Sequence, residues 1–410
     1  MPVILPALLL SGRQRLSERL GMKFPAHRPK QGSFWIHALS VGEVLSAIPL
    51  LKAVHRLYPQ KEIVLTVTTR QGMEVAQREA AEYVAALFTM PLDFWWTRRR
   101  LVKYIRPSIF VLVETDIWPG LINNLKKRNV RTVMVNCRIS PRTHKSYLRF
   151  RRIARLMYQP MERCLVQTEL DMRRLTSAGV DIAKIRVSGN IKFDREWAAM
   201  EEGERKNWLE RLSIGSRDEV WVAGSTHEGE EDIVLEAFRS LRKGFPRLRL
   251  IIAPRRIERS VEVEKLSAEK GFKTVLRTQL RQNMGPYDVL VLNTLGELER
   301  IYGIASVSFV GGSLVPEGGH NLLEPASLGC PVLFGPHTED FELMACSLEE
   351  SGGGRMVEGL GRLIQEMRRL LSSPGEMMSM GKAARGFVER NRGAIDRVME
   401  EIASLIPPAD

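Results

Sequence analysis

The feature that most constrains the fold is the alternation of short apolar runs with helix-forming stretches along all 410 residues. The runs are rich in Val, Ile, Leu and Phe, which is typical of strands buried on both faces of a parallel sheet. Alternating strands and helices predict an α/β protein. Ten strands are predicted: 33–39, 62–68, 109–114, 131–136, 164–167, 219–223, 248–253, 289–293, 307–310 and 331–334.

Ten strands rarely form one open sheet, so the pattern predicts two Rossmann-like doubly wound domains facing a central cleft. The boundary is expected in the charged stretch 196–216, between the two series of strands. We therefore predict an amino-terminal domain over 1–205 and a carboxyl-terminal domain over 206–410. Ligands of such sheets bind outside the carboxyl ends of the strands, so candidate site residues are sought directly after strands.

Glu43 lies just after the first predicted strand, where a helix begins. The helix dipole favours the anionic form of a carboxylate in the first turn, and an ionised carboxylate in a cleft can act as a general base. The alternative is a glutamate that only stabilises the helix.

Glu114 and Asp116 follow the strand 109–114, so both carboxylates can reach the same cleft. Asp116 can also cap a helix that starts near Pro119, and both readings remain open. Lys192 is a flexible point charge that suits a phosphate or developing negative charge, the alternative being a solvated surface lysine.

In the second half, Ser225 and Thr226 end a strand and precede a helix. Small residues there leave backbone N–H groups for an anion, such as a donor phosphate, although the acids behind them could instead form a capping box. Arg255 lies just past another strand, where a guanidinium can clamp a phosphate. Residues 295–297 follow a third strand and open a helix.

The loop 311–324 is the strongest local signal, with four glycines and a proline between a strand and a helix. Its glycines allow a close backbone approach to a ligand. Asn321 can cap the helix, and Glu324 in the first turn can accept hydrogen bonds from ribose hydroxyls. The chain has neither a P-loop motif nor GxGxxG after its first strand, which argues against P-loop NTPases and dinucleotide oxidoreductases.

Charge is distributed unevenly over the chain. The net charge is +13, but residues 1–200 carry +19 and residues 201–410 carry −6. One half is therefore expected to face something acidic. The four cysteines form no CxxC pair, so neither a zinc site nor a disulfide framework is expected.

The amino-terminal apolar run, residues 3–10, is eight residues long and is followed by basic residues. As a helix it would span about 12 Å, against roughly 30 Å of hydrocarbon in a bilayer. The run therefore predicts either an interfacial anchor or a frayed or truncated start.

Seven motifs, in order, resemble the 3-deoxy-D-manno-octulosonic acid (Kdo) transferases, glycosyltransferase family 30, which have the GT-B fold. The resemblance covers about residues 34–341. The motifs are SVGE (40–43), ETDIWP (114–119), GNIKFD (189–194), GSTHEGEE (224–231), APRR (253–256), LGEL (295–298) and GGSLVPEGGHNLLEPASLGCPVLFGPHTEDF (311–341).

The resemblance implies transfer of Kdo from CMP-Kdo to a lipid A precursor in lipopolysaccharide biosynthesis, with inversion and release of CMP. Glu43 matches the family's general base, and Glu114 and Lys192 match positions that stabilise the transition state. The positions that match CMP contacts are Pro254, Arg255, Leu295, Gly296, Glu297, Asn321, Leu322, Leu323 and Glu324.

The resemblance also implies an acceptor-binding, membrane-associated amino-terminal domain and a donor-binding carboxyl-terminal domain. We expect no metal or other cofactor, attachment to the anionic cytoplasmic face of the bacterial inner membrane, and no nucleic acid partner. Two departures stand out: family members usually begin with a longer apolar segment, and Pro-Arg-Arg replaces the more usual Pro-Arg-His at 254–256. The alternatives are a GT-B enzyme that uses a UDP-sugar and, from the net charge, a nucleic-acid-binding protein.

Overall fold

The computed structural model describes residues 17–114, 117–197, 199–281 and 285–406. The chain forms two compact units, Met1–Glu196 with Asn391–Asp410 and Trp197–Arg390. The apolar run 3–10 lies outside the described residues. No helix of the described part is long and apolar enough to cross a membrane.

Unit 1 is built on a seven-stranded parallel sheet with the order β3-β2-β1-β4-β5-β6-β7. Its strands are β1 (Ser33–Ala38), β2 (Ile63–Val67), β3 (Ala86–Thr89), β4 (Pro107–Val113), β5 (Arg131–Cys137), β6 (Arg163–Val166) and β7 (Ile185–Val187). Its first helices are α1 (Val41–Leu57), α2 (Arg70–Glu79), α3 (Trp95–Ile105), α4 (Pro119–Lys126), α5 (Pro141–Arg149), α6 (Arg151–Tyr158) and α7 (Glu169–Ser177).

Strand β1 shows why the central strands read as continuous apolar runs. All six of its residues are buried. Phe34 and Ile36 point into a core shared with α1, whereas Trp35 points into a second core on the other face of the sheet. The strand is therefore covered on both sides, as in doubly wound folds.

Unit 2 repeats this plan with a second seven-stranded parallel sheet, ordered β10-β11-β9-β8-β12-β13-β14. Its helices are α8 (Glu202–Arg211), α9 (Glu230–Arg242), α10 (Ser260–Glu269), α11 (Leu298–Tyr302), α12 (Leu323–Ser327), α13 (Glu342–Glu350), α14 (Gly359–Ser372) and α15 (Pro374–Arg390). Its strands are β8 (Glu219–Thr226), β9 (Leu248–Pro254), β10 (Thr274–Leu276), β11 (Val289–Val291), β12 (Val307–Val310), β13 (Val332–Phe334) and β14 (Gly354–Met356). The two parallel sheets confirm the predicted α/β class and doubly wound architecture.

The division of the chain differs from the predicted domains 1–205 and 206–410. The last helix, α16 (Ala394–Leu405), packs on α1 in unit 1 rather than on unit 2. Asp194 accepts hydrogen bonds from the amides of Gly393 and Ile395, and the Tyr58 hydroxyl donates to the Ile406 carbonyl. These contacts join residues about 200 to 350 positions apart, so no local sequence pattern predicts them.

Each sheet has one place where the direction of strand addition reverses. In unit 1 it lies between β1 and β4, and in unit 2 between β8 and β12. Ligands of doubly wound sheets bind at the carboxyl ends of the strands that flank this switch point. The candidate residues after these four strands are Glu43, Glu114, the pair 225–226 and the loop 311–324.

Candidate functional site

Glu43 lies in the first turn of α1, directly beyond β1, as predicted. Its side chain is only 8% exposed. The carboxylate turns back toward the strand, and the Leu39 amide donates to Oε2 at 2.5 Å. A Cβ added at Gly42 would meet nothing within 4 Å, so open space adjoins the turn that holds this carboxylate.

Glu114 and Lys192 form an ion pair, with Nζ 2.9 Å from Oε1. Each of the two side chains is 26% exposed, so the pair is neither buried nor fully solvated. The sequence-based prediction that both residues belong to one site therefore has a direct geometric counterpart. Asp116, the other acid of this motif, lies outside the described residues, and α4 begins at Pro119.

Asn136 is a third member of this group that sequence reasoning missed. It is fully buried, its Nδ2 donates to Glu114 Oε1 at 3.4 Å, and its Oδ1 accepts from the Ile191 amide at 3.1 Å. Asn136 and Glu114 have φ values of 57° and 62°. Two neighbouring strand ends thus hold non-glycine residues in the left-handed region, a strain that clusters at functional sites. A polar residue at the end of the predicted strand 131–136 was the available signal.

The turn that carries Lys192 is fixed by distant parts of unit 1. It is the 3-10 turn Ile191–Asp194, and it packs against α1 and α16. The Arg397 side chain donates to the Ser188 carbonyl at 2.8 Å, just ahead of the turn. The lysine is therefore presented by a supported backbone.

In unit 2, the start of the glycine-rich loop is occupied by the chain itself. The Glu230 carboxylate is fully buried and accepts hydrogen bonds from four backbone amides at 2.7–2.9 Å, those of His227, Gly312, Ser313 and Leu314. A Cβ at Gly311 would lie 2.8 Å from Oε2 of Glu230 and 2.5 Å from the Ser225 carbonyl. These first glycines thus allow a close internal approach of Glu230 and Ser225.

Thr226, a candidate for a donor phosphate, uses its hydroxyl within the protein. It is buried and donates to Glu231 Oε1 at 3.0 Å. Arg259 also donates to that oxygen at 2.9 Å, but burial outweighs this cation and raises the pKa of Glu231. Ser225 is half-buried with φ of 56°. In this structure the Thr226 hydroxyl is thus hydrogen-bonded within the protein, and both Ser225 and Thr226 stay predicted donor-phosphate contacts.

Pro254 ends β9, and the Arg255 amide donates to the Thr226 carbonyl at 2.9 Å. This bond holds Arg255 beside the switch point of the second sheet. Its side chain is exposed, and within the described part of the chain its guanidinium forms no ion pair. Arg255 is thus a charge that the fold positions without neutralising it.

His227 and His320 form a ring pair that sequence reasoning did not single out. Their Nε2 atoms are 2.8 Å apart, and the rings stack with centroids 5.0 Å apart. Burial, with Arg255 and His227 nearby, lowers the pKa of His320 to about 4. His320 is therefore neutral at physiological pH, and one ring donates its proton to the other.

In the segment 295–297, the apolar side chain of Leu295 is exposed and the carboxylate of Glu297 is hydrogen-bonded. Leu295 is 82% exposed, and Gly296 has φ of 83°. The Glu297 carboxylate accepts two hydrogen bonds from Arg277, at 2.9 and 3.1 Å. Glu297 therefore braces this turn, while the Leu295 side chain is exposed to solvent.

Residues 321–324 also include both side chains that stabilise the fold and a side chain that is partly exposed. Asn321 Oδ1 accepts from the Leu323 amide at 3.2 Å, as a cap would, and Nδ2 donates to Glu324 Oε1 at 3.3 Å. Leu322 and Leu323 are buried, so their side chains belong to the core. Glu324 is half-buried in the first turn of α12.

Across the described ranges, no group of three or more His, Cys, Asp or Glu side chains could hold a metal ion.

Comparison with known proteins connects these two sets of residues to one family. The family model described as 3-deoxy-D-manno-octulosonic-acid transferase (kdotransferase) matches residues 14–195. A 3-deoxy-D-manno-octulosonic acid transferase of Haemophilus influenzae is 32% identical over 389 residues, which is 95% of this chain and 90% of that protein. The enzyme of the same name from Chlamydophila psittaci is 31% identical over 410 residues, with 99% and 93% covered.

Among solved structures, UDP-GlcNAc 2-epimerase from Neisseria meningitidis matches with a TM-score of 0.65 at 14% identity, covering 91% of this chain and all of that one. At this identity the match supports the two-sheet fold of GT-B proteins and nothing about substrate. The two Kdo transferases, in contrast, share about a third of their residues with this chain over nearly its whole length. The chain belongs to the family of 3-deoxy-D-manno-octulosonic acid transferases and is a glycosyltransferase of lipopolysaccharide biosynthesis.

Proposed function

We propose that the protein transfers Kdo from CMP-Kdo to a phosphorylated lipid A precursor, with inversion at the anomeric carbon and release of CMP. The observation that carries this proposal is the position of Glu43. It is a nearly buried carboxylate beyond β1, at the switch point of unit 1, beside open space.

Glu43 acts as the general base in this proposal. Its carboxylate takes the proton of an acceptor sugar hydroxyl, and that oxygen attacks the anomeric carbon of Kdo from the side opposite the phosphate. The bond from the anomeric carbon to the phosphate oxygen breaks, and its electron pair leaves with CMP. One attack from the opposite face inverts the configuration.

Lys192 and Glu114 stabilise the charges that develop during this displacement. The ammonium group compensates the negative charge that grows on the leaving phosphate. Glu114 holds Lys192 at 2.9 Å, and Asn136 in turn holds Glu114. We assign Lys192 a catalytic role and Asn136 a positioning role.

Unit 2 binds the donor. Arg255, a positioned and exposed guanidinium, binds the phosphate of CMP-Kdo. Leu295 packs on the cytosine, Glu324 accepts hydrogen bonds from the ribose, and the peptides at 254, 296, 297 and 321–323 provide backbone contacts. His227 and the neutral His320 border the same loop.

We further propose that this reaction needs no metal, because Lys192 and Arg255 supply the positive charge. Chelator in the assay should leave the rate unchanged, and loss of activity on chelation with recovery on added Mg²⁺ would contradict this view. The acceptor is a lipid, so we place the protein at the anionic cytoplasmic face of the inner membrane.

The test is a transfer assay with the purified full chain, CMP-Kdo and a lipid A precursor. Mass spectrometry should show products heavier by one or more Kdo units, and CMP should be released in equal amounts. Calorimetry should show tighter binding of CMP than of UDP. Tighter UDP binding, with no Kdo added, would favour instead an enzyme acting on a UDP-sugar.

A further inference from the structure

The turn 294–297 of unit 2, which follows β11, is not held by its own backbone. Within the part of the chain that the structure describes, the backbone of Leu295 and Gly296 forms no hydrogen bond. Leu295 is also 82% exposed, so the turn packs little apolar surface against the rest of the unit. The position of this turn therefore depends on the polar side chains that link it to its neighbours.

Arg277 forms the principal link. It is the first residue after β10, which lies beside β11 in the sheet. Its guanidinium donates to both carboxylate oxygens of Glu297, from Nη2 to Oε1 at 2.9 Å and from Nε to Oε2 at 3.1 Å. A bidentate contact of this kind fixes the orientation of the two groups as well as their distance.

The environment of the Glu297 carboxylate makes this ion pair important for the turn. The Arg277 and Glu297 side chains are only 15% and 18% exposed, and removing one partner of a mostly buried pair leaves the other charge uncompensated. The Thr294 hydroxyl also donates to Oε2, and the Arg211 guanidinium lies 3.7 Å from Oε1. The carboxylate is thus surrounded by donors of the protein itself.

A second link joins the same two segments. Asn293 Oδ1 accepts a hydrogen bond from the Thr278 amide at 3.0 Å, and its Nδ2 donates to the Thr278 hydroxyl at 2.8 Å. Residues 277–278 are therefore connected to the chain on both sides of the turn, at Asn293 and at Glu297.

The turn lies at the edge of the sheet that carries Arg255. Strands β9, β10 and β11 are parallel neighbours, so their carboxyl ends share one edge, and Arg255 directly follows β9. Gly296 has φ of 83°, and a Cβ added there would meet nothing within 4 Å. Open space therefore adjoins the turn that Arg277 holds.

We propose that Arg277 is a positioning residue for the donor: its ion pair with Glu297 holds the turn 294–297 where the peptides of Gly296 and Glu297 contact the nucleotide. This inference rests on the proposed function, which assigns those peptides to donor binding. Arg277 acts through Glu297 and not on the reacting atoms. Its loss should therefore raise the KM for the donor and leave kcat nearly unchanged.

The alternative is an ion pair that only stabilises the fold, and unit 2 offers a matched control for it. Arg242 donates to Asp288 Oδ1 at 2.6 Å, with side chains that are 29% and 19% exposed. Asp288 immediately precedes β11, so this pair lies at the amino end of the strand whose carboxyl end carries the turn. It is a comparable pair on the opposite edge of the same sheet.

The test combines steady-state kinetics of the full chain, calorimetry with CMP and thermal unfolding. In Arg277→Gln, the KM for CMP-Kdo and the Kd for CMP should both rise about tenfold, with kcat within about twofold of the wild type. The control Arg242→Gln should lower the melting temperature but bind CMP as the wild type does. The double variant R277Q/E297Q has no unpaired charge, so it should regain part of the melting temperature and keep the raised Kd.

Arg277→Lys tests the same inference with a variant that keeps the charge. It removes the bidentate geometry, so the Kd for CMP should rise about threefold. Wild-type affinity for CMP in Arg277→Gln, with a lowered melting temperature, would overturn the inference, and so would a fall in kcat at unchanged KM. If Arg277→Gln does not fold, wild-type affinity in Arg277→Lys would overturn it equally.

These outcomes separate the positioning role from the proposed function. If the wild type transfers Kdo and Arg277→Gln equals it in KM, the proposed function stands and the positioning role fails. If the wild type transfers no Kdo but binds CMP or UDP, and Arg277→Gln weakens that binding while Arg242→Gln does not, the proposed function fails and the positioning role stands.

Discussion

The two switch points use the same sheet architecture in different ways. In unit 1 the strand ends present charged side chains, Glu43, Glu114 and Lys192, two of them on supported or left-handed backbone. In unit 2 the acids at the corresponding place, Glu230 and Glu231, are buried and hold the loops together. Glu43 is also nearly buried, at 8% exposure, but open space adjoins its turn, whereas the Glu230 carboxylate accepts hydrogen bonds from four backbone amides. In the proposed reaction, this difference corresponds to chemistry in unit 1 and donor binding in unit 2.

The largest effect should come from Glu43→Gln. Loss of the base should lower kcat by about 10³-fold, and CMP binding by unit 2 should be unchanged. Steady-state kinetics and calorimetry would check this. Glu74→Gln, at an exposed position of α2, is the matched control and should be close to wild type. Retained activity in Glu43→Gln would break the assignment of chemistry to unit 1.

Glu230→Gln should destabilise unit 2. The amide group of Gln would face backbone N–H donors, leaving buried donors without an acceptor, at a cost of about 3 kcal/mol. For a unit of this size that corresponds to a fall in melting temperature of roughly 6–12 °C. Calorimetric unfolding should show this fall in melting temperature. The control is Glu228→Gln, at an exposed position two residues away, and its melting temperature should equal that of the wild type. An unchanged melting temperature in Glu230→Gln would show that this carboxylate is not structural.

Lys192→Ala should lower kcat about 10²-fold with little change in the KM for the donor, because the cation acts on charge that develops in the transition state. Glu114→Gln should have a smaller effect. The double variant should lose little beyond Lys192→Ala, since the two residues act as a pair. Additive losses in kcat would mean that they act separately.

Arg255→Ala should weaken CMP binding about 10- to 30-fold, the loss of one charge-assisted contact. The effect should appear in the KM for the donor rather than in kcat. Arg256→Ala is the matched control, because this neighbouring arginine is also exposed. Equal losses in both variants would point to general electrostatic attraction rather than a defined contact.

The smallest effect concerns pH. His320 has a pKa lowered to about 4, against about 6.5 in an unfolded chain. As pH falls from 6.5 toward 4, the unfolded state binds a proton that the folded state does not, so unit 2 loses stability. After allowance for partial exposure the loss is about 1–2 kcal/mol. Urea unfolding of the wild type and of His320→Asn between pH 6.5 and pH 4 would check this prediction. The free energy of unfolding of the variant should depend less steeply on pH than that of the wild type.

The accuracy of the sequence-based strand prediction depended on the position of each strand in its sheet. All ten predicted strands are present, and the four that were missed are the edge strands, β3, β7, β10 and β14. Central strands are covered on both faces and read as continuous apolar runs. The edge strands are only three or four residues long and partly exposed, so their sequences resemble loops.

The candidate site could be predicted where the signal is local. Glu43, Glu114 and Arg255 follow strands directly. The other candidate residues were identified by the resemblance of the ordered motifs to the family. Asn136 and the His227–His320 pair were missed because their roles come from contacts across 22 to 93 residues of sequence. The same reason explains why the contact of Glu230 with the loop at 311–314 was missed, since only the folded chain brings that carboxylate to these amides.

The position of α16 has a consequence for how the protein is made. The strands of unit 1 are synthesised before unit 2, yet the helix that braces the turn around Lys192 follows unit 2 in the chain. Domains generally fold as units during synthesis, the amino-terminal one first. Here unit 2 can fold to completion while unit 1 still waits for its last helix. The turn that presents Lys192 therefore gains this helix only after unit 2 has been synthesised.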